Sequence, residues 1–72
     1  MARVSIDNGS TFCTAEEAMY APHYVGWRFF VEAMDDEVRE AVHNEGIPES
    51  PTWELDFLKR YLELATEDMI IG

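Results

Sequence analysis

Cysteine is nearly absent from this chain. Cys13 stands alone among 72 residues, so neither an intrachain disulfide nor a multi-cysteine zinc site can form. Basic residues are scarce too: five Lys and Arg face fifteen Asp and Glu, a formal net charge of −10. Such a field repels nucleic acid and anionic membranes, and direct DNA or RNA binding calls for a basic footprint that is missing. No apolar run approaches the roughly 20 residues that span a bilayer, and the first residues lack the pattern of a signal peptide. The expected setting is therefore soluble and cytoplasmic. Repeats and low-complexity segments are also absent.

What is present is enough apolar material for a core. Hydrophobic residues make up 47% of the chain, with two Trp, three Tyr and four Phe. That is too much for a disordered segment, and 72 residues sit near the lower limit for a domain held by one unaided core. The expectation is a single domain over residues 1–72.

The acid is unevenly spread. Residues 1–31 carry Asp7, Glu16 and Glu17 against Arg3 and Arg28, a net of −1. Residues 32–48 carry Glu32, Asp35, Asp36, Glu37, Glu40 and Glu45 against Arg39, a net of −5. Residues 49–72 carry Glu49, Glu54, Asp56, Glu63, Glu67 and Asp68 against Lys59 and Arg60, a net of −4. The natural partners of such a chain are basic proteins, including those that bind nucleic acid themselves.

Local patterns suggest the elements. In "ARVSIDNGSTFCT", Val4 and Ile6 alternate with polar residues, and "DNG" supplies residues that tolerate positive φ, which predicts a β-hairpin with Phe12 on its second strand. Thr14 with Glu17 three residues on is a capping box for a helix through "AEEAMYA". Pro22 and Gly26 predict a break. "WRFFVEAM" spaces Trp27, Phe30, Val31 and Met34 as a short buried helix. Asp35 then caps a helix whose first turn holds Asp36 and Glu37, which buries Val38, Ala41 and Val42 and which stops at Gly46. After the loop "IPESPT", Leu55, Leu58, Leu62 and Ala65 form the apolar stripe of a last helix over about Thr52–Ala65. Met69–Ile71 reads as a third strand that pairs with the hairpin, since two strands alone are marginal. The expected fold class is α+β: an N-terminal β-hairpin plus a C-terminal strand in a minimal antiparallel sheet, packed by three to four short helices.

Motifs with catalytic or metal chemistry are thin. Glu40 and His43 make one E-x-x-H pair, whereas di-iron bundles need two such pairs and two further glutamates on facing helices. With no second pair, His43 reads as a cap on the negative end of its helix. Cys13 beside Thr14, with His23 and His43 elsewhere, lacks the orienting group and oxyanion pocket of a cysteine nucleophile, and "DNGST" lacks the lysine of a phosphate loop. No catalytic residue, cofactor or metal ligand is expected. A small hydrolase is kept only as a third possibility, which unchanged function after Cys13→Ser would dismiss.

The acidic rows and the tryptophans remain. Asp36 and Glu40 are i, i+4 neighbours, joined by Glu32 if the intervening turn is tight, and the last helix is expected to group Asp56, Glu63 and Glu67. Carboxylates so spaced lie roughly 5–6 Å apart at Cβ, and two such rows can occupy a DNA-binding cleft. Trp27 reads as core. Trp53, in the first turn after a proline-rich loop and among Glu49, Glu54 and Asp56, reads as a candidate interaction hot spot.

"MDDEVREAVH" (Met34–His43) and "ELDFLKRYLELATEDMIIG" (Glu54–Gly72) resemble a group of short acidic proteins encoded on bacterial conjugative elements and prophages, and "VSIDNGSTFCTAEEA" (Val4–Ala18) is similar to their N-terminus. "MYAPHYVG" and "GIPESPTW" depart from that pattern. The resemblance implies a setting, in which such proteins protect the element by blocking restriction enzymes or CRISPR effectors. The expected function is a non-enzymatic inhibitor that mimics DNA in the basic cleft of a defence nuclease or effector. Its predicted contacts are Asp35, Asp36, Glu37, Glu40, Asp56, Glu63 and Trp53. The alternative is a regulatory or adaptor module, monomeric or homodimeric, that binds through Trp53, Tyr24 or the edge of the "MII" strand.

Overall fold

The computed structural model describes residues 1–72 and combines four helices with one pair of short strands: β1 (Val4–Ser5), α1 (Ala15–Met19), α2 (Trp27–Ala33), α3 (Asp36–Glu45), α4 (Trp53–Leu64) and β2 (Met69–Ile70). The fold is α+β, as the patterns suggest, but the sheet is parallel: Val4 pairs with Met69 and Ser5 with Ile70. The expected antiparallel hairpin shrinks to a single bridge between Val4 and Cys13, whose two amides and carbonyls exchange bonds of 3.1 and 2.8 Å.

The direction of β2 follows from where α4 ends. The Ala2 amide donates to the Leu62 carbonyl at 2.9 Å, so the last turn of α4 lies beside the start of the chain. The Arg3 amide then donates to the Asp68 carboxylate at 2.8 Å, and the Met69 and Ile71 amides donate to the carbonyls of Arg3 and Ser5. The chain thus enters β2 at the end where β1 begins, and the helices between them form the crossover that parallel pairing requires. Covering also differs from that of a half-solvated hairpin. Val4 and Ser5 are both wholly buried, as in strands with both faces packed.

Burial of Ser5 organises the turn that follows. Its hydroxyl donates to Asp7 at 2.7 Å and accepts from the Gly9 amide at 2.8 Å, which satisfies a polar group that would otherwise be costly inside. Asn8 and Gly9 take positive φ values of 58° and 89°, as the "DNG" composition anticipates. The Asp7 carboxylate also accepts from the Thr11 amide and hydroxyl. Those bonds, with Ser5, hold its pKa down to about 2.

α1 and α3 begin at the caps expected of them, whereas α2 after Gly26 and α4 after Thr52 start without a side-chain cap. Thr14 and Glu17 complete a reciprocal capping box. Asp35 accepts from the amides of Glu37 and Val38 at 3.0 and 3.2 Å, and α3 ends at Gly46 in the left-handed region, φ 74°. α4 is the central element: α1 and α3 both pack against it, and it buries Leu55, Phe57, Leu58, Tyr61 and Leu62. The Tyr61 hydroxyl accepts the Asp35 amide at 2.7 Å and so ties α4 to the start of α3. On α3, Val42 is wholly buried and Val38 half-buried, while Ala41 is exposed, against expectation. It lies on the side of α3 that turns away from α4. No helix is long and apolar enough to cross a membrane.

Candidate functional site

Burial of Val38 and Val42 turns the opposite side of α3 outward, so Glu37, Glu40, Ala41 and Asn44 are exposed together. Four of the predicted contact residues lie at this end of the molecule, in different states. Asp35 is exposed, and one of its oxygens caps the helix. Asp36 pairs with Arg39 at 2.8 Å, and that guanidinium also reaches inward to the Val31 carbonyl at 3.2 Å. Glu37 and Glu40 form no ion pair and no side-chain hydrogen bond, so their charge is wholly available to a partner. Glu32 belongs to α2, ahead of the Met34–Asp35 turn, and pairs with Arg28 at 3.1 Å.

Antiparallel packing of α3 on α4 adds two acids that helical spacing could not reveal. A depression of about 510 Å³ at the start of α3 is walled by Asp35, Glu37, Glu67 and Asp68, over Met34, Val38 and Met69, and no basic residue lines it. Glu67 reaches this place because α4 ends at Leu64, which removes it from the Asp56–Glu63 row where it was expected.

The outer side of α4 is built differently. Asp56 and Glu63 alternate there with Lys59 and Arg60. Arg60 holds both oxygens of Glu45 at 2.8 and 2.9 Å and one oxygen of Glu63 at 3.1 Å. These bonds hold the Glu45 carboxyl below its ordinary range and the guanidinium above its own. Lys59 pairs with Glu16 at 3.0 Å, which raises the lysine pKa. Asp56 accepts from the hydroxyls of Ser50 and Thr52, each at 3.3 Å. Glu63 is therefore matched by a cation and Asp56 is held by hydroxyls, apart from the α3 acids.

Trp53 anchors a chain of aromatic rings. It lies 6.0 Å from Trp27 and 5.2 Å from Phe57, and Trp27 continues to Phe30 and thence to Tyr24. Its indole N–H donates to the Ile47 carbonyl at 3.1 Å, which pins the loop after α3. Both Trp27 and Trp53 are half-buried. Hollows of about 740 and 260 Å³ adjoin Trp53 and Phe57, and His43 lines both. Tyr24 is also half-buried. Its hydroxyl oxygen is buried without a hydrogen-bond partner, and burial, with the Glu54 carboxylate second, raises its pKa.

The residues with catalytic or metal potential are not gathered. The Cys13 thiol donates to the Val4 carbonyl at 3.4 Å. Burial, then the Glu17 and Asp7 charges, push its pKa up, the reverse of the depression that activates a thiol. Glu40 and His43 are exposed on α3, and no three His, Cys, Asp or Glu side chains converge as metal ligands. No protein-family model, curated protein or solved structure matches the chain.

Proposed function

We propose that this chain is a non-enzymatic inhibitor that binds the basic, nucleic-acid-handling cleft of a bacterial defence nuclease or effector, of the anti-CRISPR or antirestriction kind. The outer face of α3 is its contact surface. The observation that carries this reading is the distribution of unpaired charge. All five basic side chains are engaged: Arg28, Arg39, Lys59 and Arg60 in ion pairs, and Arg3 over the Phe12 ring at 5.5 Å. Glu37 and Glu40 are left exposed and unpaired one helical turn apart, beside the depression walled by Glu67 and Asp68. A basic cleft that normally follows a row of phosphates is the surface most strongly attracted to such a row.

The test is inhibition in cells that carry a restriction or CRISPR system, read as rescue of a targeted phage, together with binding of the captured effector across a salt series. Glu37→Lys combined with Glu40→Lys is expected to lower affinity by about tenfold or more, abolish rescue and leave the circular dichroism unchanged. Duplex DNA is expected to compete with the native protein. Full rescue by a folded, charge-reversed protein refutes the proposal.

A second reading, an adaptor or homodimer that forms by strand addition, is favoured by one observation. β2 is paired on one side only, and Ile70 on it is 53% exposed. Open edges invite another strand. Loss of partner binding or of self-association in Ile70→Lys, with no salt dependence, would select this reading over the first.

A further inference from the structure

We infer that the larger hollow beside Trp53 is an anchor site for an arginine side chain of the partner's basic surface. The inference rests on the inhibitor reading and names the contact that would give it specificity beyond general charge. The hollow measures about 740 Å³ and is formed by the end of α3, the following loop and the first turn of α4, with Ile47, Trp53 and Phe57 as its apolar part and Glu49 and Ser50 on its rim. Glu49 is exposed and has no ion pair.

Three features select a guanidinium. First, the Trp53 indole N–H is already bonded to the Ile47 carbonyl, so the ring offers an apolar, electron-rich surface without asking for a hydrogen-bond acceptor. Such a surface attracts a cation, and a planar guanidinium stacks on it better than an ammonium does. Second, one arginine of the chain already lies beside this aromatic group, with its guanidinium bonded to Asp36 and to the Val31 carbonyl. Arg39 lines the smaller hollow, which shares Trp53, Phe57 and His43 with the larger one. Third, no basic residue other than His43 lines the larger hollow, and Arg28, Arg39, Lys59 and Arg60 are already in ion pairs. Nothing within the chain supplies the cation that Glu49 lacks. An acidic protein with an aromatic seat and an unpaired carboxylate at its rim complements an arginine that projects from a basic cleft.

The experiment titrates the full chain with blocked tetra-arginine and tetra-lysine peptides at low salt, and follows the indole N–H resonances of Trp53 and Trp27 and the backbone amides of α3. The arginine peptide is expected to bind at least about threefold more tightly than the lysine peptide and to shift the Trp53 indole signal. Glu49→Gln, at an exposed position without packing, is expected to weaken the arginine peptide by about threefold or more and to leave the fold intact. Trp53→Phe retains a ring and most of the preference, whereas Trp53→Leu removes it. Equal affinity for both peptides, with shifts confined to the amides near Glu37 and Glu40, overturns the anchor site and leaves the inhibitor reading standing. If neither peptide binds, both readings fall.

Discussion

The outer faces of α3 and α4 draw on similarly acidic sequence and differ in what the fold leaves unpaired. Along α4, Lys59 and Arg60 point outward among Asp56 and Glu63 and bridge to Glu16 and Glu45 on other helices. Along α3 the one basic residue, Arg39, is half-buried and divides its guanidinium between Asp36 and a backbone carbonyl of α2. Glu37 and Glu40 are left over. Net charge alone therefore does not locate an electrostatic surface. The direction taken by each cation does, because a carboxylate held by a guanidinium has little field to offer a partner.

The largest expected effect comes from removing what both faces stand on. Leu58 is wholly buried in the middle of α4, the helix against which α1 and α3 pack. Leu58→Ala should cost about 2–5 kcal/mol by urea denaturation, a large share of the stability of so small a domain. If the two faces depend on α4 alike, amide protection should fall in α1 and α3 together. Selective loss in one would show that the other has support of its own.

Much of this fold was legible because its signals were local. The Thr14–Glu17 box, the Asp35 cap, the Gly46 stop and the Leu55–Leu58–Leu62 stripe act within a few residues, and the helices begin and end close to them. The sheet was not legible in the same way. Alternation around Val4 and a "DNG" turn favour a hairpin, yet strand direction is decided by the place where α4 delivers the chain, through the contact of Ala2 with Leu62 some 60 residues away. The candidate site divides along the same line. Exposure of Glu37 and Glu40 follows from helical periodicity, whereas the pairing of Glu45 with Arg60, 15 residues on, and the arrival of Glu67 beside Glu37 need the packed α3–α4 pair. Trp53 reads as a hot spot in the sequence because it stands in the first turn after a proline-rich loop. Its indole bond to Ile47, which pins the ring to the loop after α3, had no counterpart in the sequence pattern.

Acid titration separates bonded carboxylates from leftover ones. Asp7 is the clearest bonded case: hydrogen bonds from Thr11 and Ser5 depress its folded pKa from 3.8 to about 2. A carboxyl with a lower pKa in the folded state adds stability that is fully present above the unfolded value, and that stability is lost as pH falls through the folded one. The contribution of Asp7 should therefore disappear between pH 3.8 and about 2. In Asp7→Asn that part of the acid dependence should be missing, so the urea midpoints of the two proteins should converge as pH drops across the window. Parallel midpoint curves would show that the turn does not hold Asp7 ionised.

The smallest effect is the most pointed, since it aims to turn one face into the other. Arg60→Gln keeps a polar side chain of similar reach on α4 but releases Glu45 and Glu63 from the guanidinium that bonds both. The side of α4 would then hold Asp56 and Glu63 against Lys59 alone, and Lys59 is already paired with Glu16. The change adds one unit of negative charge near an exposed surface, so binding to a basic partner should strengthen by no more than about threefold at low salt, mainly through faster association. The gain should vanish near physiological ionic strength, where the screening length is about 8 Å. A gain of that size would mean that pairing, and not position, keeps α4 out of the contact. Unchanged binding at low salt, with the fold intact, would mean that α4 faces away from the partner and that α3 makes the contact by its place in the fold as well as by its unpaired charge.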